Sequence, residues 1–313
     1  MNTGLIGRWL ASGALDLPLP GSGDTALRWL RLTELTETDV VAGRLAEAHT
    51  DAVAILAELG GPRPGPGQLW GVWAAESRDA ALSARDDRDA VTLDGTKVWC
   101  SGATLCTHAL VTARLGSGDR GLFAVTLDQP AVRPLPSTWR NPGMAESDTR
   151  SVHFSGATAS PVGKVGEYLS RPGFWHGAIG VSACWLGGAR AVAAPLYARA
   201  AEGSADPHTL AHLGAVDAAL AAGQALLMAS AAEVDADPLN RKGEAELIAR
   251  RTRAVVETAV EESIQRTGRA LGPAPLSQDA QHARRVADLT IYVRQSHAER
   301  DLEQLGRLAG GRR

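Results

Sequence analysis

The sequence predicts an α+β multidomain protein with a short N-terminal helical segment, a central small β-barrel and a C-terminal four-helix bundle. Three patterns follow one another along the 313 residues. Apolar residues first recur at helical spacing, then short Val-, Thr- and Leu-rich runs alternate with turn signals, and long alanine-rich helical stretches end the chain. The predicted domains are therefore residues 1–67, 68–161 and 162–313.

The N-terminal segment is predicted to be helical from Asp24 to Leu59. Aspartate is a residue type that caps helix starts. Leu45, Ile55 and Leu59 belong to a series at three- and four-residue steps, which places them on one helix face. The following Gly60–Gly67 segment alternates glycine with proline and cannot continue a helix, so it gives the first boundary.

The central block contains short predicted strands separated by turn signals such as Asp94-Gly95. Their number and spacing are typical of a small barrel. Gly116–Gly121 fits the pattern G-x-G-x-x-G, but a strand follows it instead of the helix that a dinucleotide site requires, so a hairpin turn is predicted. The predicted strands are Leu69–Ala74, Ala90–Leu93, Thr96–Cys100, Ala109–Ala113, Leu122–Leu127, Val132–Pro134 and Thr149–Phe154.

Four long helices are predicted in the last block, and their short Gly-, Pro- and Asp-containing connections are good helix-stop signals. Long helices with short connections are typical of an up-down bundle. They are predicted at Pro172–Glu202, Pro207–Asp235, Lys242–Leu271 and Ser277–Leu308.

Composition excludes several classes of protein. A net charge of −3 argues against a nucleic-acid binder. No uninterrupted apolar run approaches the roughly 18–20 residues of a membrane span, and the N-terminus lacks the pattern of a secretory signal. The spacing of Cys100, Cys106 and Cys184 fits neither a disulfide framework nor a zinc site. We expect an unexported, cytoplasmic protein without a metal.

The segment Leu93–Ala103, LDGTKVWCSGA, is the most informative stretch. It predicts a strand that ends near Trp99 and is followed by two small residues, Ser101 and Gly102. A planar ligand can stack on an indole and accept hydrogen bonds from a hydroxyl and from backbone amides. The segment therefore predicts a site for a planar ligand.

This segment resembles the pattern L-x-G-x-K-x-W-I-[TS]-N-[GA] of the acyl-CoA dehydrogenase superfamily. A second segment, Asn141–Phe154, is similar to the family's L-G-M-R-x-S-D-T-x-x-V-x-F. Gly163–Gly166 and Gly173-Phe174 also stand where that family has glycine motifs. The resemblance covers roughly residues 24–309, with a shortened N-terminal part, and implies an acyl-CoA dehydrogenase-like fold and an FAD cofactor.

The resemblance implies that Trp99 borders the flavin ring and that Ser101 hydrogen-bonds to it, and the backbone of Gly102 is a further candidate contact for the cofactor. Trp70 and Trp73 are expected to face the same pocket, and Trp73 stands near the flavin-binding threonine of the family.

Further cofactor contacts are implied with less exact matches. In the segment Val72–Asp79, Ser77 stands near the family's pyrophosphate-binding serine. Arg266 and Arg269 lie where the family contacts a diphosphate across a subunit interface, so a homo-oligomer, such as a homodimer, is expected.

The catalytic base is the main departure from the family pattern. Arg294 occupies the position, or its close neighbourhood, where typical dehydrogenases have a glutamate, and arginine stays protonated at working pH. Some members have their base on the first bundle helix, which corresponds to His176. His297 resembles a histidine in the C-terminal helix of flavin-dependent monooxygenases with the same fold. His176 and His297 are therefore the candidate bases.

Three functions remain open. The first hypothesis is an FAD-dependent acyl-CoA dehydrogenase-like oxidoreductase that removes a substrate proton and transfers a hydride to flavin. The second is a flavin-dependent monooxygenase. The third is a catalytically degenerate scaffold. We expect a small-molecule substrate, for example an acyl-CoA thioester, and neither a nucleic acid nor a membrane as partner.

Overall fold

The computed structural model describes residues 3–77, 81–87 and 90–311, and these form an α+β structure. The helices are α1 (Thr3–Ala11), α2 (Thr25–Thr38), α3 (Val40–Leu59), α4 (Glu167–Ser170), α5 (Gly173–Ala201), α6 (Pro207–Ala236), α7 (Ala245–Leu271), α8 (Ala274–Gln278), α9 (Ala280–Tyr292) and α10 (Glu299–Gly310). The strands are β1 (Trp70–Trp73), β2 (Leu82–Asp87), β3 (Ala90–Cys100), β4 (His108–Arg114), β5 (Arg120–Thr126), β6 (Val132–Pro134) and β7 (Arg150–Pro161).

The chain divides into two compact units that interleave along the sequence. The β unit comprises the residues up to Leu17, Leu45–Arg140 and Ala145–Phe174. The helical unit comprises Pro18–Arg44, Asn141–Met144 and the chain from Trp175 onward. The boundaries of these units differ from those of the predicted domains, residues 1–67, 68–161 and 162–313. That these three ranges are independently folding domains stays a prediction.

A small barrel forms the centre of the β unit, as the strand spacing predicts. Five strands pair in the order β4-β2-β3-β7-β5, and antiparallel pairing of β5 with β4 closes the ring. The hairpin between β4 and β5 confirms the turn predicted at Gly116–Gly121, where the Leu115 amide donates to the Asp119 carbonyl over 2.9 Å. Closing the ring pairs strand edges that an open sheet would expose.

The predicted turn at Asp94-Gly95 is wrong, because β3 runs through both residues. The β3–β7 ladder shifts register between Leu93 and Asp94, which is a bulge instead of a turn. Gly95 has φ +120°, and a Cβ there would overlap the Ala81 carbonyl oxygen. Strand β2, which pairs along β3 and ends in charged residues, was not predicted.

The β unit has apolar cores inside and outside the barrel. Trp73, Leu93 and Phe154 belong to the inner cluster. Outside, Ile55 of α3 is clustered with Trp70 of β1, so α3 covers one face of the barrel. The two tryptophans of β1 therefore lie in different cores.

The helical unit is built around the long helices α5, α6 and α7. Helix α6 packs along α7 and also contacts α2. Gly187 of α5 lies so close to α2 that a Cβ would overlap the Thr33 carbonyl oxygen. A Cβ on Gly223 of α6 would lie 3.3 Å from Leu186 of α5 and 3.6 Å from Val256 of α7. Small residues thus allow these helices to approach closely.

Two predicted helices are interrupted. The stretch Asp24–Leu59 breaks at Asp39, whose backbone is extended and whose carboxylate accepts from the Ala42 amide over 2.8 Å to begin α3. The fourth bundle helix, predicted as Ser277–Leu308, consists instead of α8, α9 and α10. A 3₁₀ turn at Val293–Gln295 ends α9, and Ala298 has φ +47° before α10.

Helices α5 and α6 each contain a window that passes a length and composition test for a membrane span. In α5, 78% of this window is buried inside the protein, whereas in α6 the buried share is 33%. The core helix of a folded protein passes the same test. Length and composition alone therefore do not assign a membrane to either helix.

The close approach at Gly187 leads to a stability prediction. Gly187→Ala should lower the free energy of unfolding by about 1–3 kcal/mol, because the new methyl group must displace α2. Gly214→Ala in α6 is the matched control: nothing lies within 4 Å of its Cβ position, so we expect stabilisation of up to about 1 kcal/mol. Urea unfolding measures both. Equal effects in the two variants would contradict the helix contact.

Candidate functional site

Trp99 projects from the β unit where β3 leaves its ladder with β7. The register shifts between Lys97 and Cys100, and Trp99 has φ +59°, a left-handed conformation that is rare for a bulky residue. Its side chain is 62% exposed. The Trp139 ring stands edge-on to it, with centroids 6.2 Å apart and an interplanar angle of 87°. We call Trp99 and Trp139 the aromatic corner.

Three hydroxyl groups form a chain that links the segment after Trp99 to the second sequence motif. The Thr149 hydroxyl lies 2.9 Å from that of Ser101 and 2.7 Å from that of Ser147. The Gly102 amide donates to the Ser147 carbonyl over 2.7 Å. Gly102 has φ +70°, and a Cβ there would lie 2.8 Å from the Cys106 sulfur, so glycine is required.

Asp148 fixes the same segment from the side of the second sequence motif. It also has positive φ, at +48°. Its Oδ2 accepts from the Thr104 amide over 2.6 Å and from the Thr104 hydroxyl over 2.7 Å, and its Oδ1 accepts from Arg150 Nε. Backbone strain of about 1–3 kcal/mol per residue persists only where surrounding contacts enforce it, and it is typical of functional sites.

The second motif is divided between the two units. Ser147, Asp148 and Thr149 belong to the β unit, whereas Asn141–Met144 belongs to the helical unit. There the Met144 amide donates to the buried Asp288 carboxylate over 2.6 Å. Burial raises the pKa of Asp288, although this hydrogen bond opposes the shift.

The expectation that Trp70 and Trp73 share a pocket with Trp99 is wrong. Trp73 is 1% exposed, and its indole N–H donates to the Ser101 carbonyl over 3.0 Å. Trp70 stacks on His108 with centroids 4.7 Å apart. Residue type alone could not separate these two core indoles from the exposed one. Trp73 therefore holds the Ser101 segment from beneath it.

Ser77 is partly exposed. It lies just beyond Trp73 in the segment Val72–Asp79, of which positions 78 and 79 lie outside the described residues. Its proposed contact with a cofactor phosphate stays a prediction.

Sequence reasoning gave no role to the buried Lys97, although this residue matches the lysine in the pattern around Trp99. Lys97 is 4% exposed, and its Nζ donates to Glu76 Oε1 over 3.1 Å and to both the carbonyl and the hydroxyl of Thr112 over 2.8 Å. Arg114 and Arg120 each lie 3.5 Å from the other Glu76 oxygen.

The two partners perturb each other's protonation. Burial lowers the pKa of Lys97, against the attraction of Glu76. Burial alone would raise the pKa of Glu76, but the nearby Lys97 and Arg120 charges outweigh it and lower that pKa. Each charge thus favours the charged form of the other, and burial opposes both.

The candidate bases lie in the helical unit. His176 is buried on α5. His297 is 67% exposed, and its Nδ1 lies 3.6 Å from Asp301 Oδ1, while its backbone amide donates to Asp301 Oδ2 over 3.1 Å. Arg294 pairs with Glu261 over 2.8 Å, and its guanidinium stays protonated, so it cannot act as a base.

The two proposed diphosphate ligands lie on α7. Arg266 is ion-paired with Glu262 one turn earlier, and Arg269 is exposed. A groove of about 560 Å³ lies between α7 and the end of α9, with Ile264 and Ile291 among its lining residues and Arg294 at its margin.

The β-unit residues fit a flavin ring. The aromatic corner offers an open indole face, which suits a planar ring system. The hydroxyls of Ser101 and Thr149 can donate to ring oxygens or accept from ring N–H groups. A flavin bound here would supply hydride transfer or the activation of dioxygen.

Comparison with models of known protein families and with curated protein sequences finds no match. Solved structures match over almost the whole chain. TdsC from Paenibacillus sp. A11-2, in complex with FMN and indole, has a TM-score of 0.80 at 18% identity, over 92% of this chain and 84% of TdsC. The methanesulfinate monooxygenase MsuC from Pseudomonas fluorescens has 0.80 at 18% identity, over 96% and 88%.

A nitrososynthase from Micromonospora carbonacea var. africana matches with a TM-score of 0.78 at 16% identity, over 96% of this chain and 88% of that chain. These structures have the acyl-CoA dehydrogenase fold. The fold that the two sequence motifs imply is therefore confirmed.

The Lys97–Glu76 pair leads to a second stability prediction. Glu76→Gln should cost about 1–3 kcal/mol of unfolding free energy at neutral pH, because it leaves a buried ammonium without its counter-charge. The folded-state pKa of Glu76 lies below its ordinary value of 4.5. Wild type should therefore lose the stabilisation by the Glu76 charge as pH falls through that folded-state pKa. The unfolding free energies of wild type and Glu76→Gln should then converge.

Glu34→Gln is the control for this substitution. Glu34 pairs with Arg31 at an exposed site, so removing its charge should change stability by less than about 0.5 kcal/mol. Chemical unfolding over a range of pH measures both variants. A constant difference between wild type and Glu76→Gln down to strongly acidic pH would contradict the predicted linkage.

Proposed function

We propose that this protein is a flavin-dependent oxidoreductase that oxygenates a small molecule, with the flavin ring against the aromatic corner. The observation that carries the proposal is the conformation of Trp99. A bulky residue with positive φ and an exposed indole costs free energy twice, through backbone strain and through hydration of apolar surface. A planar ligand on that face would offset the second cost.

The residues around Trp99 support a flavin over an apolar ligand. Ser101 and Gly102 lie on the segment that directly follows the indole, and the Thr149 hydroxyl is 2.9 Å from that of Ser101. A flavin ring carries polar atoms along its edge, which these groups can bind. TdsC is described in complex with FMN, which makes FMN as plausible a cofactor as the FAD implied by the sequence motifs. The ion pair of Arg266 with Glu262 leaves Arg269 as the less neutralised candidate for a diphosphate.

The residues of the helical unit favour oxygenation over dehydrogenation. Typical dehydrogenases have their glutamate base at the position of Arg294, and this arginine is instead paired with Glu261. Three of the similar structures are described as monooxygenases or a nitrososynthase, and TdsC is described as a dibenzothiophene monooxygenase. We propose a small substrate with an oxidisable sulfur or nitrogen. In this reaction His297, with Asp301 beside it, would transfer protons at the imidazole.

Dehydrogenation of an acyl-CoA thioester is the second candidate, and the strand motif around Trp99 favours it. It would use His176 or His297 as the base. The third candidate is a scaffold without a flavin.

The tests separate these candidates in order. An absorbance spectrum and a flavin titration of the full-length protein exclude the scaffold if flavin binds. Incubation with reduced flavin, isotopically labelled dioxygen and a panel of organosulfur compounds and amines should give labelled products. Flavin reduction by acyl-CoA, without label in any product, would favour the dehydrogenase.

We predict that Trp99→Ala weakens flavin binding about tenfold, because stacking on an indole contributes on the order of 1.4 kcal/mol. Trp9→Ala changes a tryptophan of α1 in the same unit and should leave the affinity unchanged. Fluorescence titration measures both. Equal affinities of wild type and Trp99→Ala would contradict the assignment of the flavin to the aromatic corner.

We also predict that His297→Gln lowers turnover of an oxygenated substrate at least about tenfold, the low end of the effect of a general acid–base group, and leaves flavin affinity unchanged. His208→Gln, at the start of α6, is an exposed control. Steady-state kinetics with a flavin titration distinguish the two effects. Unchanged turnover would exclude His297 as the proton-transferring group.

A further inference from the structure

We propose that Lys97 and Trp73 are positioning residues for Trp99. They fix the segment Lys97–Ser101, which we call the kink, and so hold the indole in position for a planar ligand. This deepens the proposed function, because it rests on Trp99 as the residue against which the flavin ring lies. Neither side chain needs to touch the ligand.

The two positioning residues hold Trp99 from both sides in sequence. Lys97 precedes it by two residues and binds Glu76, while Ser101 follows it by two residues and accepts from Trp73. Trp73 ends β1, and Glu76 comes three residues later. The short stretch 73–76, which begins at the last residue of β1, therefore holds both ends of the kink.

The kink has few ladder contacts of its own. The β3–β7 pairing stops after Lys97 and resumes at Cys100. The Ser101 amide donates to the Trp99 carbonyl over 3.1 Å, which closes a tight local turn. Because the ladder does not fix Val98 and Trp99, side-chain contacts must determine where the indole lies.

The choice of lysine at this position is itself informative. The chain has 32 basic residues, and only Lys97, Lys164 and Lys242 are lysines. Lys164 and Lys242 are exposed, whereas Lys97 is buried. The three donors of its compact ammonium go to the Glu76 carboxylate and to both oxygens of Thr112, whereas the donors of a guanidinium are fixed in a planar fork.

The contacts of Lys97 also tie three strands together. Glu76 follows β1, Thr112 lies in β4, and Lys97 itself lies in β3. Through Trp73 the same end of β1 reaches Ser101. A displacement of β1 relative to β3 would therefore move both neighbours of Trp99 together, which is the property expected of a positioning device.

The test reads the geometry of the aromatic corner without any flavin. Two indoles at this distance and angle couple their transitions and give a far-ultraviolet exciton couplet in circular dichroism. Wild type, Lys97→Met and Trp73→Phe are each measured with and without Trp139→Phe, and the difference isolates the couplet of the pair. Trp73→Phe keeps an aromatic ring in the core and removes only the N–H donor and part of the ring.

We expect Lys97→Met and Trp73→Phe to lose about half or more of the couplet and to bind flavin up to about tenfold more weakly, since a tenfold loss is about 1.4 kcal/mol, within the range for fixing one side chain. Lys164→Met makes the same chemical change at an exposed site of the β unit and should alter neither readout. Thermal unfolding identifies a variant that fails to fold, in which case the other variant decides.

Several outcomes would overturn the proposal. One is a folded Lys97→Met or Trp73→Phe protein with the wild-type couplet. Another is the absence of any difference between wild type and Trp139→Phe, which would contradict the geometry of the corner. If Lys97→Met or Trp73→Phe reduces the couplet but the protein binds no flavin, the positioning role is supported and the proposed function is contradicted. If the protein binds flavin but the couplet is unchanged in these variants, the proposed function is supported and the positioning role is contradicted.

Discussion

The buried contact of Lys97 with Glu76 and Thr112 is the constraint on which the candidate site depends. A desolvated ammonium is expensive unless it is fully hydrogen-bonded and paired with a counter-charge. Meeting that requirement brings the end of β1 and the middle of β4 to one point of β3. Immediately beyond this point β3 leaves its ladder, and there lie the exposed indole and Ser101, the first member of the hydroxyl chain.

Much of the fold was predictable because it is encoded locally. Short Val-, Thr- and Leu-rich runs between turn signals predicted most barrel strands, and alanine-rich periodicity predicted α5, α6 and α7 to within a few residues. Asp94-Gly95 was mistaken for a turn because the same residue pair suits both a turn and a bulge. What decides between them is Ala81, a neighbour in space that no local pattern reveals. The break before α10, at residues 293–298, likewise contains no proline or glycine that would have predicted it.

The candidate site was only partly predictable. The motif identified Trp99, Ser101 and Gly102, since a family pattern preserves spacing along one strand. It could not distinguish Trp99 from Trp73, because an indole in a strand faces inward or outward according to the register of the barrel. Trp139 was missed because it is distant in sequence: it lies in the connection between β6 and β7, and the pairing of β7 with β3 is a long-range contact.

The scarcity of lysine gives the barrel a chemical signature of its own. Amine-acylating reagents attack neutral, accessible side chains, and Lys164 and Lys242 both meet solvent. Lys97 is enclosed while the strands remain paired, even though burial lowers its pKa and thereby increases its neutral fraction. Its modification therefore requires local opening of the β1–β3–β4 region. The acylated fraction of the peptide that contains Lys97, measured by mass, would then report how often this end of the barrel opens. Lys164 and Lys242 would serve as internal references.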